Sequence, residues 1–409
     1  MNRKPKVAII GAGLGGLAAA GAILRAGCEV TVYEQSGSLG EVGAGINLTP
    51  NVLNALRLLD LEAGVLERAF HPENHVFRDW RSGGVLFRAH VKSQYLKNYG
   101  APACNIHRAD LHAVLRSGVP ESVIRLEARL TGLAQTTDGV VLDFADGTQQ
   151  QADIVIGADG IRSSVRRCLF GEREPVFTGN VAWRFTVRPE DLPQGFIAPD
   201  ITNWLGPGGH VVHYYVRAGA LVNVVAIHET DTWTEESWAL RADPGELEAQ
   251  FAGWNSALFR LFEHATPCFK WGLFDHAPLE RWTVGRASLL GDAAHPMLPF
   301  LGAGAGMAIE DGVTLGLLLS KGDVDPVQVL RRYEALRLAR TARVQLGSRA
   351  RAKENHLRSP LARLRRNIGF RFRQWFQPDA TLHRADWIYR YDIERACGGM
   401  DADGVLKEG

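Results

Sequence analysis

An imidazole and a phenol lie four residues apart in the segment HVVHYY, residues 210–215. The alternating side chains predict a strand on which His210 and Tyr214 share one face, about 13 Å apart at roughly 3.3 Å per residue. Histidine titrates near neutral pH, which would let His210 act as a base beside a bound ligand. Both groups reach one pocket only if the strand bends or the ligand spans them, and a purely structural role for the histidine stays open.

The N-terminal residues have the types and spacing that bind nucleotide phosphates. Glycines in G-x-G-x-x-G spacing follow the apolar run 7–10 and lead into an alanine-rich helix, the positions of interest being Gly11, Gly13, Leu14 and Gly16. A second strand, 29–33, ends at Glu34, whose carboxylate can accept hydrogen bonds from a ribose 2′-hydroxyl. This order predicts a dinucleotide-binding βαβ unit with the helix N-terminus facing the phosphates. The alternative is a structural glycine turn, and the motif alone does not separate FAD from NAD.

A second strand-to-helix corner lies in the middle of the chain. The strand 154–156 is followed by the turn GADG, which contains Asp159, and by an arginine-bearing helix predicted over 161–169. A carboxylate beside guanidinium groups favours phosphate and ribose contacts. A capped helix with a basic face would have the same sequence.

A third corner, GDAAHPMLPFLGAGAG, follows the strand 286–290. Asp292 ends that strand, and Pro299 stiffens the loop before an apolar helix predicted from near Gly302 to about 319. Glycines at 302, 304 and 306 crowd its first turn, although glycine in a helix interior costs roughly 1 kcal/mol against alanine. We therefore expect Gly302 and Gly304 to admit a ligand, and an electron-rich ring fits because the helix dipole favours negative charge there.

Composition excludes several classes of protein. The 409 residues, 46% of them apolar, predict a globular protein with two to three domains' worth of core. A formal net charge of +1 argues against nucleic-acid binding as the main activity. Five scattered cysteines without a C-x-x-C pair argue against a disulfide framework or a metal site and favour a cytoplasmic location. No apolar run reaches the roughly 18 residues of a membrane span, so we expect no integral membrane association.

Changes of pattern along the chain predict an α/β protein with several domains. Aromatic, alternating runs assign 71–99 and 181–274 to an antiparallel-sheet substrate domain. The nucleotide motifs assign 1–70, 100–180 and 275–325 to a discontinuous Rossmann-type domain. The remainder, 326–409, is predicted to be helical and arginine-rich, with a solvated or subunit-facing surface.

Taken in order, GAGLGG, GADG and GDAAHP resemble the motifs of the flavin-dependent aromatic hydroxylases, the single-component class typified by para-hydroxybenzoate hydroxylase. The likeness covers about residues 7–319. The segments GAGINLTPN, IHRADLH, HVVHYY and GDAAHPMLP are most similar to salicylate, 3-hydroxybenzoate and 6-hydroxynicotinate hydroxylases. The resemblance implies tightly but non-covalently bound FAD, NADH or NADPH as co-substrate, and a monomer or homodimer.

The resemblance also implies roles on the cofactor side. The first motif and Glu34 would hold the adenosine part of FAD, and Asp159 would serve both FAD and the nicotinamide nucleotide. Arg108, which its sequence context leaves equally open to a surface role, would contact the flavin. Asp292 would bind the ribityl chain, and the helix from Gly302 would stabilise the anionic reduced flavin.

On the substrate side, the resemblance implies that His210 and Tyr214 deprotonate or orient a substrate hydroxyl and that Pro299 lines the flavin ring near the oxygen site. Hydroxynicotinate enzymes have histidines where this sequence has Asn47 and Phe300. These two substrate-side departures favour a benzenoid acid over a pyridine.

The implied activity is an FAD-dependent, NAD(P)H-using monooxygenase that hydroxylates a small phenolic acid, salicylate- or hydroxybenzoate-like, through a flavin C4a-hydroperoxide. Deprotonating a phenol raises the nucleophilicity of its ring, and the site must exclude water so that the peroxide is not lost as H₂O₂. The alternatives are a hydroxypyridine carboxylate, a larger aromatic pathway intermediate, or a flavin-binding protein without turnover.

Overall fold

In this computed structural model the chain is described over residues 4–40, 44–231, 233, 240–322, 325–376 and 384–398. The last part of the predicted region 326–409 and a piece of 181–274 lie outside these ranges. Six strands form what we call the nucleotide sheet, in the order Thr283–Val284, Ala287–Leu289, Ile154–Gly157, Lys6–Ile10, Glu29–Tyr33 and Ile124–Arg125. All neighbours are parallel except the hairpin formed by the first two. Parallel strands covered on both faces are apolar throughout, as in KVAII and IVIG.

A second sheet, the substrate sheet, has eight strands in the order Leu240–Arg241, Phe269–Asp275, Val176–Val187, Leu221–Glu229, Gly209–Val216, Ile201–Gly206, His75–Asp79 and Val85–Ala89. Its pairs are antiparallel apart from the parallel pair of Ile201–Gly206 with His75–Asp79. The described chain also contains two small sheets. One is a three-stranded meander of Leu130–Gln135, Val140–Phe144 and Gln149–Ala152, and the other pairs Gly45–Leu48 with Cys104–His107. The predicted fold class, α/β with an added antiparallel sheet and a C-terminal helical segment, is confirmed.

The α-helices, in chain order, are Leu14–Arg25, Pro50–Arg57, Glu62–Arg68, Val91–Tyr99, Arg108–Ser117, Ser164–Phe170, Pro244–Gln250, Ser256–Phe262, Gly304–Leu319, Pro326–Asn355, Pro360–Phe376, Asp386–Tyr389 and Ile393–Gly398. The first and the Gly304–Leu319 helix pack directly on each other. Their contact is close because Gly312 and Gly316 lie against the backbone of Ala18, Ala19 and Ala22. Within the described residues, no helix combines the length and the apolarity needed to cross a bilayer.

Two predicted elements differ in the structure. The antiparallel strands expected over 70–99 end at Ala89, and Val91–Tyr99 is a helix. Its buried residues, Val91, Tyr95 and Tyr99, follow a spacing of four, which is a helical and not a strand period. The sequence of 123–146, which ends in an Asp-Gly turn, predicts a β-meander, but the meander runs from Leu130 to Ala152, because Ile124–Arg125 instead extends the nucleotide sheet.

The C-terminal helices include buried charge, so the prediction of a solvated or subunit-facing surface is wrong for part of this region. Arg337, on the helix Pro326–Asn355, is fully buried and bonds Glu310 at 2.6 Å and Asp311 at 2.7 Å. Burial alone would raise the pKa of both acids, but Arg337 holds each pKa below its usual range. Asn51 also donates to Glu310, at 2.6 Å. This network fixes the Gly304–Leu319 helix from behind.

Candidate active site

A cavity of about 350 Å³ opens where the nucleotide sheet, the substrate sheet and the start of the Gly304–Leu319 helix meet. It receives residues from all three sequence motifs, which follow strands of the nucleotide sheet, and from strands of the substrate sheet. Those used below are Gly13, Leu14, Asn47, Arg108, Arg184, His210, Tyr214, Trp271, Asp292, Pro299, Gly302 and Gly304. The structure therefore brings together most residues predicted for the site, although they lie up to 291 positions apart in the chain.

Each glycine of the first motif is needed for a different geometric reason. Gly11 has φ +105°, and a Cβ there would lie 2.5 Å from the carbonyl oxygen of Ala158. A Cβ on Gly16 would lie 2.0 Å from the carbonyl oxygen of Gly11, so only glycine lets the helix pack on the turn. A Cβ on Gly13 would meet no atom within 4 Å. Gly13 thus presents open backbone to the cavity at the N-cap of the helix, as a pyrophosphate site requires.

Glu34 supports the turn through both carboxylate oxygens. It accepts hydrogen bonds from the backbone N–H of Ala12 at 2.8 Å and of Ser36 at 2.9 Å. Each carboxylate oxygen has a second lone pair, so a ribose hydroxyl can still donate to it. The predicted ribose contact is compatible with this placement and stays a prediction.

Asp159 lies behind the cavity wall, which its neighbours Ala158 and Gly160 form. Its carboxylate accepts from the hydroxyl of Ser163 at 2.5 Å and from the backbone N–H of Ser164 at 2.7 Å. These bonds cap the helix at Ser164, which is why it begins later than the predicted residue 161. Burial raises the pKa of Asp159, and the capping bonds oppose this. Its predicted contact with two nucleotides is not visible in this geometry and stays a prediction.

The third motif forms a loop that is pinned to the helix behind it. His295 bonds Asp311 at 2.6 Å, and the N–H of Gly291 donates to the same carboxylate at 3.1 Å. Between them Asp292 is exposed to the cavity. The surrounding protein raises the pKa of Asp292 by desolvation, while His295 and Arg108 oppose the rise.

Pro299 begins a 3₁₀ turn, Pro299–Leu301, which Gly302 ends in the left-handed conformation at φ +62°. The N–H of Gly302 donates to the carbonyl of Pro299 at 2.9 Å. The helix begins at Gly304, two residues later than predicted, because the left-handed Gly302 interrupts it. Gly302 and Gly304 both line the cavity beside Asn47, whose amide donates to Asn105 at 2.7 Å.

His210 lines the cavity and is held from behind by a second histidine. Its Nδ1 lies 2.8 Å from Nε2 of His356, at the C-terminus of the helix Pro326–Asn355. Burial lowers the pKa of His210 to about 4, so the ring is neutral at pH 7 and can accept a proton. Phe300, predicted on the substrate side, does not line the cavity. Its ring packs 5.5 Å from that of His210 and 5.3 Å from that of His356.

Tyr214 lines the same cavity four residues further along the strand that contains His210. A Cβ on Gly45 would lie 2.8 Å from its hydroxyl, so that glycine makes room for the phenol. The N–H of Gly45 donates to Asn223 at 2.7 Å, which fixes this approach. Burial raises the pKa of Tyr214, and Arg184 opposes the rise.

Arg184 is the cavity residue that the sequence analysis missed. Its guanidinium lies 3.5 Å from the ring centroid of Trp271, and among the described residues its titratable neighbours are Arg108 and Tyr214, with no carboxylate. Burial, together with the nearby charge of Arg108, lowers the pKa of Arg184 to about 9. The signal was present in VAWRFTV, where one cation stands in a strand whose other residues are apolar except for one threonine. His356 was missed as well, because it follows a helix far outside the recognised motifs.

A second cavity, of about 500 Å³, adjoins the first and shares Arg184, Trp271, Asp292 and Pro299 with it. The first cavity is lined by glycine backbone and by His210, and Arg184 lies where the two cavities adjoin. The open face of Gly13, the exposed Asp292 and the glycine-lined helix start fit an extended dinucleotide such as FAD.

Comparison with known proteins agrees with this geometry. The FAD binding domain family matches residues 4–205 and 270–346. A 3-amino-4-hydroxybenzoate 2-monooxygenase of Streptomyces platensis is 42% identical over 365 residues, which cover 89% of this chain and 92% of the relative. The chain belongs to the flavin-dependent aromatic hydroxylases.

Two further relatives place this hydroxylase within the class. A 6-hydroxynicotinate 3-monooxygenase of Bordetella bronchiseptica is 38% identical over 84% of this chain and 91% of the relative. The Klebsiella pneumoniae protein HpxO, solved with FAD and uric acid, superposes with a TM-score of 0.85 at 25% identity, covering 94% of this hydroxylase and 96% of HpxO. The predicted family, the monooxygenase class and the FAD cofactor are thus confirmed. The roles of individual site residues and the domain boundaries stay predictions.

Proposed function

We propose that this hydroxylase uses FAD, NAD(P)H and O₂ to add a hydroxyl group to a small phenolic acid. The observation that carries the proposal is the pairing of an acid-free guanidinium, Arg184, with the uncharged His210 in one cavity. A half-buried cation without an acid partner is costly, and a substrate carboxylate would neutralise it through two charge-assisted hydrogen bonds.

Each side chain has a defined task in this scheme. Arg184 binds the carboxylate, and Trp271 holds the guanidinium plane in place. His210 accepts the phenolic proton at Nε2, because its Nδ1 is engaged with His356. Tyr214 orients the same ring from the neighbouring wall. Deprotonation sends electron density into the ring, which is the nucleophile in the oxygen transfer.

The cofactor side rests on the three motifs. Gly13, Glu34, Arg108 and Asp292 would hold FAD, which supplies the two-electron activation of O₂ when bound. Pro299 and the apolar wall exclude water from the reacting ring. NADH or NADPH is the electron donor that the class requires, and we expect NADH. We place the enzyme in the cytoplasm, as a monomer or homodimer.

The first substrate to test is 3-amino-4-hydroxybenzoate. Two properties support it: the name of the 42% identical relative, and Asn47 and Phe300 in place of the histidines expected for a pyridine substrate. Salicylate and 3-hydroxybenzoate are the next benzenoid acids. The 38% identity to a 6-hydroxynicotinate enzyme keeps that pyridine acid as the second candidate.

The proposal is tested by following NADH and NADPH oxidation together with O₂ uptake across these acids and their uncharged analogues, with H₂O₂ and products analysed. A hydroxylated product with little H₂O₂ identifies the substrate. Fast NADH oxidation with stoichiometric H₂O₂ identifies a compound that binds without being hydroxylated. No stimulation by any acid, with larger neutral aromatics active, would contradict the proposed role of Arg184.

A further inference from the structure

The helix Pro360–Phe376 carries apolar side chains on its solvent face. Six residues are 55% to 84% exposed, and we call them the outer stripe: Leu361, Leu364, Ile368, Phe372, Trp375 and Phe376. Their spacing of three and four residues places them on one side of the helix. Soluble surfaces rarely keep so many large apolar groups together unless something covers them.

The opposite side of this helix shows that its orientation is fixed by the protein. Phe370 stacks on Phe77 with ring centroids 5.3 Å apart. Gln374 accepts a hydrogen bond from the backbone N–H of Arg88 at 2.7 Å. Arg366 donates to the carbonyls of Glu354 and Asn355, at 3.0 and 3.1 Å. The outer stripe therefore faces solvent because polar and aromatic contacts hold the other face.

A groove of about 540 Å³ runs beside the stripe, between this helix and the end of Pro326–Asn355. We call it the cation groove, and its charged lining is Lys353, Glu354, Arg365, Arg366 and Arg373. Arg366 is only 8% exposed, yet its Nη2 has no hydrogen-bond partner in the described part of the chain. The same holds for Nε of Arg373. The groove thus contains four positively charged side chains and one acid, and two of its arginine N–H groups lack a protein partner in the described part of the chain. This arrangement favours the binding of an anion.

We propose that the outer stripe and the cation groove together seat the protein on an anionic phospholipid surface. Apolar residues rich in Trp, Phe and Leu enter the interface between headgroups and acyl chains, and flanking arginines bind lipid phosphates. A second copy of the chain fits this surface less well. The segment 360–376 contains five arginines and no acid, so pairing two such helices would bring like charges together. The proposal is independent of the substrate.

The test is sedimentation of the FAD-loaded enzyme with vesicles of phosphatidylcholine alone or mixed with phosphatidylglycerol. We expect binding to the anionic vesicles only, weakening as salt is raised. Trp375→Ser with Phe372→Ser should weaken binding at least roughly tenfold through lost apolar burial. Arg365→Gln should weaken it roughly fivefold, since a basic residue near an anionic surface contributes about that factor. Leu346→Ser and Arg260→Gln, exposed residues elsewhere, are the matched controls and should bind as the original protein does.

Three results would overturn the proposal. The first is no binding to anionic vesicles by a folded, FAD-containing enzyme. The second is a stable dimer, seen by light scattering, that the Trp375→Ser and Phe372→Ser changes dissociate while vesicles are not bound. The third is saturable binding of inorganic phosphate or glycerol phosphate in the cation groove with no vesicle binding, which would indicate a soluble anion site.

Discussion

Replacing Arg184 with Gln removes the cation to which we assign substrate recognition. In the cavity this guanidinium lies over Trp271, without an acid partner among the described residues. Gln is shorter, keeps hydrogen-bonding capacity and has no charge. The change should leave the free enzyme folded, because it relieves a desolvated cation and breaks no ion pair.

The expected loss lies in binding of the acid. A hydrogen bond to a charged group contributes about 1.5–3 kcal/mol, and removing one partner of a buried pair costs about 3–5 kcal/mol. A loss of about 3 kcal/mol corresponds to a roughly 150-fold rise in the Kd of the phenolic acid. The corresponding phenol without a carboxylate should lose little.

The assay is titration of the flavin absorbance with 4-hydroxybenzoate, 3-amino-4-hydroxybenzoate and phenol, for the original enzyme, Arg184→Gln and Arg184→Lys. Lys keeps the charge but cannot bind two oxygens in one plane, so it should recover part of the affinity. The reasoning is refuted if Arg184→Gln weakens acid and phenol binding equally, or if it leaves acid binding unchanged.

Three further predictions follow from the same geometry. His356→Phe removes the hydrogen bond that orients His210 and should lower kcat roughly tenfold, whereas His356→Gln should keep most of the original kcat. In the original enzyme kcat should fall on acidification near pH 4, the lowered pKa of His210. Gly16→Ala should destabilise the fold by about 3 kcal/mol, because the added methyl group overlaps the carbonyl oxygen of Gly11. Gly13→Ala should fold normally and weaken FAD binding by roughly 1–3 kcal/mol. Arg337→Met should cost about 3 kcal/mol, because it removes one cation from two buried carboxylates that keep Arg340 and His295 as partners.

The measurements for these variants are distinct. Steady-state pH profiles test the His356 variants, and equal kcat for Phe and Gln would remove its orienting role. Thermal melts and bound-flavin content separate the two glycine variants, and a stable, flavin-free Gly16→Ala protein would contradict the packing argument. In the original protein the acids paired with Arg337 have lowered pKa values, so their stabilisation is present above the ordinary carboxyl pKa and is lost on acidification. Arg337→Met should make the loss of stability on acidification smaller, because it removes one of the cations that lower these pKa values, and urea unfolding at several pH values would detect this.

The site residues divide by the kind of signal they leave in the sequence. Gly11, Gly13 and Gly16 were found because strand, turn and helix are local, and their spacing reports backbone geometry directly. His210 was found by strand alternation and resemblance. Arg184 and His356 were missed because the sequence does not show which groups surround them. Among the described residues, Arg184 stands out only because no acid pairs with it, and His356 only because it bonds His210, 146 positions away.

By itself the sequence determined the nucleotide unit and the order of the three motifs, because short segments with strict backbone requirements encode them. The resemblance of the three motifs as a set to the flavin-dependent aromatic hydroxylases indicated the class of enzyme and the cofactor. Only the tertiary structure decided that Asp159 caps a helix behind the cavity wall, that Phe300 packs against His210, and that Arg184 lines the same cavity as His210. The physical reason is that a side chain's solvation and partners depend on elements far apart in the chain. The same reason explains why an arginine-rich C-terminus contains both the buried Arg337 and an apolar stripe turned towards solvent.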